Sequence, residues 1–429
     1  MSGNTISAFR PQTIQALTRL DSNNNGVTTQ ELAQVDSDHD GSITATEAAA
    51  QGIDANDVSA VNTAYQAHAS EPNAVAFDRA GLQRQSASQA MLSVFSRVDG
   101  DSDGYLSRTE LNNALHSSSY TGQDAAALAA MNNYVGDIEE YSNDENGDEN
   151  DGITQADLRA FINQSDETAT NISNMVQYGN NTIAGTNRTP FPNGVNSIRP
   201  DNIRQGMIGD CYFLAAVASE ARTPEGRQRI HDMIHDNGNG TYDVTFPGRD
   251  AVTVSAPTDA ELAAYSSAGS DGTWLSILEK AYAQSENNGA WSSSENPYDE
   301  IGDGNSLAAG IEAMTGHSVD TDDTAFTSVD TLRTKVSDAM AHGRTVTAGI
   351  TEYPWSSGRE ANGLPQGHAY TVLNYDAATD SVTLRNPWGH GEPVNASGQA
   401  ADGNDDGTFT MTLAEFDQYF SDISYEQAE

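Results

Sequence analysis

Two twelve-residue stretches in the N-terminal third set carboxylates at every second position, a spacing that calls for a cation. The first is DSDHDGSITATE, with Asp36, Asp38, Asp40, Gly41, Ile43 and Glu47. The second, DGDSDGYLSRTE, repeats the order with Asp99, Asp101, Asp103, Gly104, Leu106 and Glu110. Carboxylates this close repel one another unless a positive charge lies among them. Both stretches complete the calcium-loop template, in which oxygens from positions 1, 3, 5, 7 and 12 surround the ion, glycine at 6 makes the turn and an apolar residue stands at 8. Position 7 contributes a main-chain carbonyl, here that of Ser42 or Tyr105. The expected ligand is Ca2+, and the expected fold of residues 1–165 is an all-α, EF-hand-like series of helix-loop-helix units.

Two further loops depart from the template. DSNNNGVTTQE offers Asp21, Asn23, Asn25 and Gly26, but Glu31 falls one residue early and the loop carries fewer charges. In NGDENDGITQAD, Asn146, Asp148, Asn150 and Asp157 fill positions 1, 3, 5 and 12, with Asp151 where glycine is expected. Both should bind more weakly. Only four residues separate Glu31 from Asp36, so loops one and two must share one short helix. Asp99 and Asn146 lie far enough apart for loops three and four to pair back to back.

The chain of 429 residues exceeds what one core usually serves, so two or three domains are expected. Its net charge of −42 argues against nucleic acid and anionic membranes as partners. The acidity is not confined to the loops, since residues 1–165 carry a net −17 and the remainder −25. No apolar run is long enough to span a bilayer and no Sec-type leader opens the sequence, which implies a soluble protein, cytoplasmic or exported without a classical signal peptide. The single cysteine, Cys211, excludes an intramolecular disulfide. Oligomeric state leaves no mark in the sequence.

Residues 166–196 are rich in Asn, Thr and Gly without sustained periodicity and read as a linker or arm, open to self-cleavage. A second region, 197–425, reads helix first, at Cys211 to about Ala221 and at TWLSILEKAYAQ, then strand, in RTVTAGI, HAYTVLNYD and SVTLRNP, with TYDVTFP and DAVTVSA between. This is an α+β layout of two lobes, one helical at about 197–320 and one of antiparallel sheet at about 321–425, with a cleft between.

The chemistry concentrates in that region. Gly209 and Asp210 precede a helix beginning at Cys211, and a thiol at a helix N-terminus meets the positive end of the dipole, which favours thiolate. Gln205 is placed to direct its amide at a developing oxyanion beside the Cys211 N–H. A thiol nucleophile needs an imidazole and a group that orients it. His368 opens a strand directly after a glycine, and Asn386 ends the next strand in RNPWGHGE, where Trp388 would shield the bond between them.

The segments QGMIGDCYFLAA, WLSILEKAYA, GHAYTVL, LRNPWG and DGTFTMTLAEFDQYF resemble, in order and spacing, the protease core of the calpain family over roughly residues 195–425. That resemblance implies a two-lobed papain-like fold and limited endoproteolysis of protein or peptide substrates. It also implies Cys211 as nucleophile, His368 as general base and acid, Asn386 as orienting residue and Gln205 as oxyanion donor. Trp274, Glu279 and Lys280 look like family core positions. The chain departs from the family pattern at Tyr212, where tryptophan is usual, and at Asn202, where an acid is usual. It also places its calcium region before the protease. Two other classes stay open: a calcium-binding interaction protein with a catalytically silent protease-like domain, and transglutaminase-like acyl transfer, which Asn386 disfavours.

Overall fold

The computed structural model describes residues 9–68, 70–142, 152–287, 296–352 and 358–428. The chain divides into two compact units, one of residues 1–183 with 258–263 and one of residues 184–257 with 264–429.

The first unit is helical around four short strands. Each calcium loop ends in a Thr or Ser followed three residues later by an acid, so that side chain and main chain cap each other at the start of the next helix. Thr28 with Glu31, Thr44 with Glu47, Ser107 with Glu110 and Thr154 with Asp157 all form this capping box. Gly41 and Gly104 adopt φ of +86° and +91°, a left-handed turn that a side chain at those positions would strain. Loops one and two share the short helix Thr29–Leu32, as their spacing requires. Loops three and four pair back to back through Tyr105–Leu106 and Ile153–Thr154. Loop one instead pairs Val27–Thr28 with Val75–Phe77, and loop two is held from the side by Asn62, whose Oδ1 accepts the Ile43 N–H at 2.8 Å.

The segment read as a polar arm is different in the structure: residues Glu167–Gly185 form a helix. Its buried positions include Ala169, Ile172, Val176, Gly179 and Ile183, a repeat of three and four that small residues disguise in the sequence. Close packing requires them, because a Cβ at Gly179 would stand 2.8 Å from the Ala263 Cβ.

In the second unit the helix Cys211–Ala221 is buried on every side, as its sequence CYFLAAVASEA demands. Tyr212 packs fully inside and reaches the Tyr282 hydroxyl at 3.4 Å. A three-stranded antiparallel sheet, Ile234–Asp236, Thr241–Val244 and Val252–Ser255, accompanies the helices. The larger sheet has six strands, all paired antiparallel. Their order is Thr408–Thr412, Ser381–Arg385, His368–Asp376, Val346–Ile350, Asp422–Glu426 and Val319–Asp323. Its core gathers Val346, Ala348, Tyr370, Val372, Leu384, Phe416 and Ile423. Thus the fold is mixed helix and antiparallel sheet, preceded by a calcium-loop region.

Candidate functional site

Cys211 lies at the first position of its helix and is 8% exposed. Burial pushes its thiol up to about 11, opposed by the main-chain N–H of Ala369, which favours the thiolate. Ala369 directly follows His368 at the start of the strand His368–Asp376, so the fold brings the sequence neighbourhoods of Cys211 and His368 together. Among the described residues the thiol and the imidazole share no hydrogen bond.

His368 and Asn386 do meet. Antiparallel pairing of Thr371 with Arg385 brings the two strand ends side by side, and His368 Nε2 lies 2.8 Å from Asn386 Oδ1. The same Oδ1 accepts the Trp388 N–H at 2.9 Å, while Asn386 Nδ2 donates to the Gly391 carbonyl at 3.2 Å. An atom that accepts from Trp388 is an oxygen, so His368 Nε2 carries the hydrogen and Nδ1 is left as the basic nitrogen. The Trp388 ring lies 4.3 Å from the imidazole, and Tyr370 meets it edge-on at 5.0 Å. Burial under these rings pushes the imidazole down to about 4, against the bond it donates to Asn386, which raises it. Both shifts favour the neutral thiol and the neutral imidazole over their ion pair.

Gln205 donates its Nε2 to the Ile208 carbonyl at 2.7 Å, within its own loop, while its main-chain N–H donates to the Pro387 carbonyl at 2.9 Å. The Gln205 loop is thereby tied to the segment that carries Asn386. A second tie escaped the sequence: Arg385 is buried, and its guanidinium donates to the Asp201 and Ile203 carbonyls at 3.1 and 3.0 Å and to the Asp406 carbonyl at 3.1 Å. Its only sequence signal is its place directly before Asn386. Glu392 was also missed. One of its oxygens accepts the N–H groups of Asp406 and Gly407, each at 2.8 Å, and the other is buried without a partner beside an acidic loop that contains Asp402.

In the two complete loops the structure gathers part of each expected ligand set, leaving Glu47 outside the first cluster and Asp103 outside the second. Carboxylate oxygens of Asp36, Asp38 and Asp40 lie within 4.8 Å of one another, and so do those of Asp99, Asp101 and Glu110. Asp99 Oδ1 is buried without a hydrogen-bond partner, a vacancy in its bonding that fits a cation. Tyr65 donates its hydroxyl to Asp36 at 3.1 Å, and the carbonyls of Ser42 and Tyr105 stand at position 7. Glu47 and Glu110 fold back on main-chain N–H groups near the start of their loops, those of Ser37 at 2.7 Å and Gly100 at 2.8 Å. Glu31 makes the equivalent bond to the Ser22 N–H at 3.2 Å despite falling one residue early. Loop one nevertheless differs, because the Arg79 guanidinium reaches Asp21 at 3.3 Å and also bonds Asn24. Asn146, Asp148 and Asn150 lie outside the described residues; Asp157 accepts from Ser142 N–H at 3.1 Å.

Comparison with known proteins bears on both regions. The family model described as calpain family cysteine protease matches residues 186–426, and the model described as EF hand matches residues 93–116. The chain is similar to calpain-9 of Homo sapiens, at 25% identity over 261 residues, 52% of this chain and 35% of that protein. It thus spans about a third of the length of this relative. No helix among the described residues is long and apolar enough to cross a membrane.

Proposed function

We propose that this chain, which belongs to the calpain family of cysteine proteases, hydrolyses internal peptide bonds of protein substrates through Cys211, His368 and Asn386 in a calcium-dependent or calcium-stabilised manner. The observation that carries this reading is the buried 2.8 Å bond from His368 to Asn386, which fixes the imidazole tautomer beside the Cys211 helix. In the reaction, His368 Nδ1 takes the thiol proton as sulfur attacks the peptide carbonyl, and returns it to the leaving amine. The Cys211 N–H and Gln205 amide then face the oxyanion, which requires Gln205 to turn from Ile208. Calcium, held by the two complete loops and carrying the charge that their carboxylates need, supplies ordering of those loops. The neutral thiol and imidazole describe a resting state that becomes competent when the two groups come into contact.

The same resting geometry gives the second reading its support, a calcium-binding protein whose protease-like region is silent. Hydrolysis of casein by wild type and Cys211→Ala, each with millimolar calcium and with excess chelator, separates them. Wild-type cleavage that falls by about 10⁴-fold or more in the variant is expected for a nucleophile. Equal activity in both removes Cys211 from the mechanism. Activity that survives the chelator keeps the protease and limits calcium to stability.

A further inference from the structure

Directly before the nucleophile, Asp210 occupies the cap position of the helix Cys211–Ala221 but makes no side-chain cap bond. An aspartate there ordinarily accepts the free N–H groups of the first turn. Here its carboxyl is fully buried and meets another carboxyl, that of Glu279 on the helix Trp274–Glu286. No amide, hydroxyl or cation of another described residue donates to either Asp210 oxygen. Glu279 is equally buried, and both its oxygens take the Ser266 N–H, at 3.2 and 3.0 Å. Its neighbour Lys280 directs its ammonium to the Ser255 hydroxyl at 3.0 Å. Ser267, next to Ser266, exchanges two main-chain bonds with Arg204 at 3.1 and 2.9 Å, so Glu279 is tied to the segment that pairs beside the Gln205 loop as well as to the nucleophile helix.

We propose that Asp210 and Glu279 hold one proton between them and form a positioning pair that keeps negative charge away from the residue adjoining Cys211. Two buried carboxyl groups in hydrogen-bonding contact cannot both be ionised. The proton belongs on Asp210, which has no donor of its own, and is given to Glu279, whose charge the Ser266 N–H supports. A charged Asp210 would stand one residue from the sulfur and oppose thiolate formation. The desolvation of Asp210 and the nearby Glu279 charge raise its carboxyl well above the usual range, consistent with that placement. Ionisable groups near the pair and the thiol include the phenols of Tyr212 on the same helix, pushed up to about 12 by burial, Tyr282 beyond it, and Tyr370 on the strand after His368, with Lys280 next to Glu279 and His368 next to Ala369, whose N–H meets the thiol. The segment at Gly302 contributes only its carbonyl, which accepts the Gly209 N–H at 2.9 Å, with Asp303 exposed beyond it.

The proposal rests on Cys211 as the reactive thiol, and its test does not require proteolysis. Cys211 is the single cysteine, so iodoacetamide alkylation reports on it alone. Rates would be followed from pH 6 to 10 in wild type, Glu279→Gln, Asp210→Asn and the double variant, with thermal melts to establish folding. Glu279→Gln replaces the proton acceptor with an amide that donates to Asp210 and lets it ionise. The alkylation profile should then move about one pH unit upward, slowing the reaction near neutrality about tenfold. Asp210→Asn should not slow it, and adding Asp210→Asn to Glu279→Gln should restore the wild-type rate. A structural role alone predicts that the double variant is worse than either single one, and that result overturns the proposal. So does a folded Asp210→Asn protein that alkylates ten times more slowly. Loss of casein cleavage with these profiles intact would count against the protease reading and leave the pair standing.

Discussion

In the unit of residues 1–183 with 258–263, carboxylates gather in short turns, Asp36, Asp38 and Asp40 in one and Asp99, Asp101 and Glu110 in another. The second unit instead buries acids one or two at a time and meets several of them from within the protein, although Glu392 keeps one oxygen without a partner. Glu220 receives the Thr345 hydroxyl at 2.5 Å and the Arg229 guanidinium at 2.7 Å, Glu426 receives the Thr345 N–H at 2.7 Å, and Asp210 lies against Glu279. The first arrangement leaves a charge balance for a dissolved ion to complete. The second completes it during folding. Calcium should therefore move the stability of one unit and pH that of the other.

The largest effect is expected at His368. Its imidazole is lowered from 6.5 to about 4 by burial, so between those values the unfolded chain binds a proton that the folded chain refuses. Stability from this group is complete above pH 6.5 and is lost as pH falls toward 4, by roughly 3 kcal/mol at most. Denaturant unfolding at pH 7.5 and 4.5 in wild type and His368→Gln isolates it, since the difference between the two proteins should shrink by that amount at the lower pH. A pH-independent difference would show that the imidazole is not held neutral by burial.

Somewhat smaller, counted per site, is the effect of the ion. Calcium at a hundred times its dissociation constant should stabilise the loop-bearing unit by about 2.7 kcal/mol for each site that the unfolded chain lacks. Glu110→Gln should reduce that gain by weakening one loop, and chelator should abolish it. If calcium shifted unfolding as strongly in a chain carrying both Glu47→Gln and Glu110→Gln, the complete loops would not be where it acts. For the other unit, Glu220→Gln weakens the charge-assisted bonds to Arg229, which is half exposed, and should cost about 1.5 kcal/mol with or without calcium. A calcium-sensitive cost would break the division.

These contrasts explain what could be read beforehand. A calcium loop is contiguous, so Asp36 to Glu47 and Asp99 to Glu110 announce themselves by spacing, and the shared helix between loops one and two follows from counting. His368 and Asn386 are eighteen residues apart in the sequence and become neighbours through one strand pairing. The Asp210–Glu279 pair, the Arg385 ties and Glu392 join segments whose meeting depends on tertiary packing, and Glu279 in particular read as ordinary core. Helix 167–185 was hidden for another reason: its buried face interleaves Ala169, Ser173 and Gly179 with Ile172, Met175, Val176 and Ile183, and hydrophobic periodicity is blurred where close packing selects small side chains.

The smallest expected effect tests loop one, which mixes both strategies. Asp21 begins a calcium-type loop, and its Oδ1 is buried without a partner, as an ion-binding carboxylate would be. Its Oδ2, however, already receives the Arg79 guanidinium, with Asn24 taking a second bond from the same group. The arginine side chain is about one-third exposed, and an ion pair in that setting is worth at most about 1 kcal/mol, or about fivefold in an affinity. Arg79→Gln should accordingly strengthen calcium binding at loop one by no more than about fivefold, read by titration calorimetry against Asp21→Asn in the same background to assign the heat. Because the guanidinium acts by offsetting the charge of the Asp21 carboxylate, the gain should vanish when Asp21 is neutral. An unchanged isotherm in Arg79→Gln would mean that the missing charges and the early Glu31, not the arginine, set the weakness of this loop.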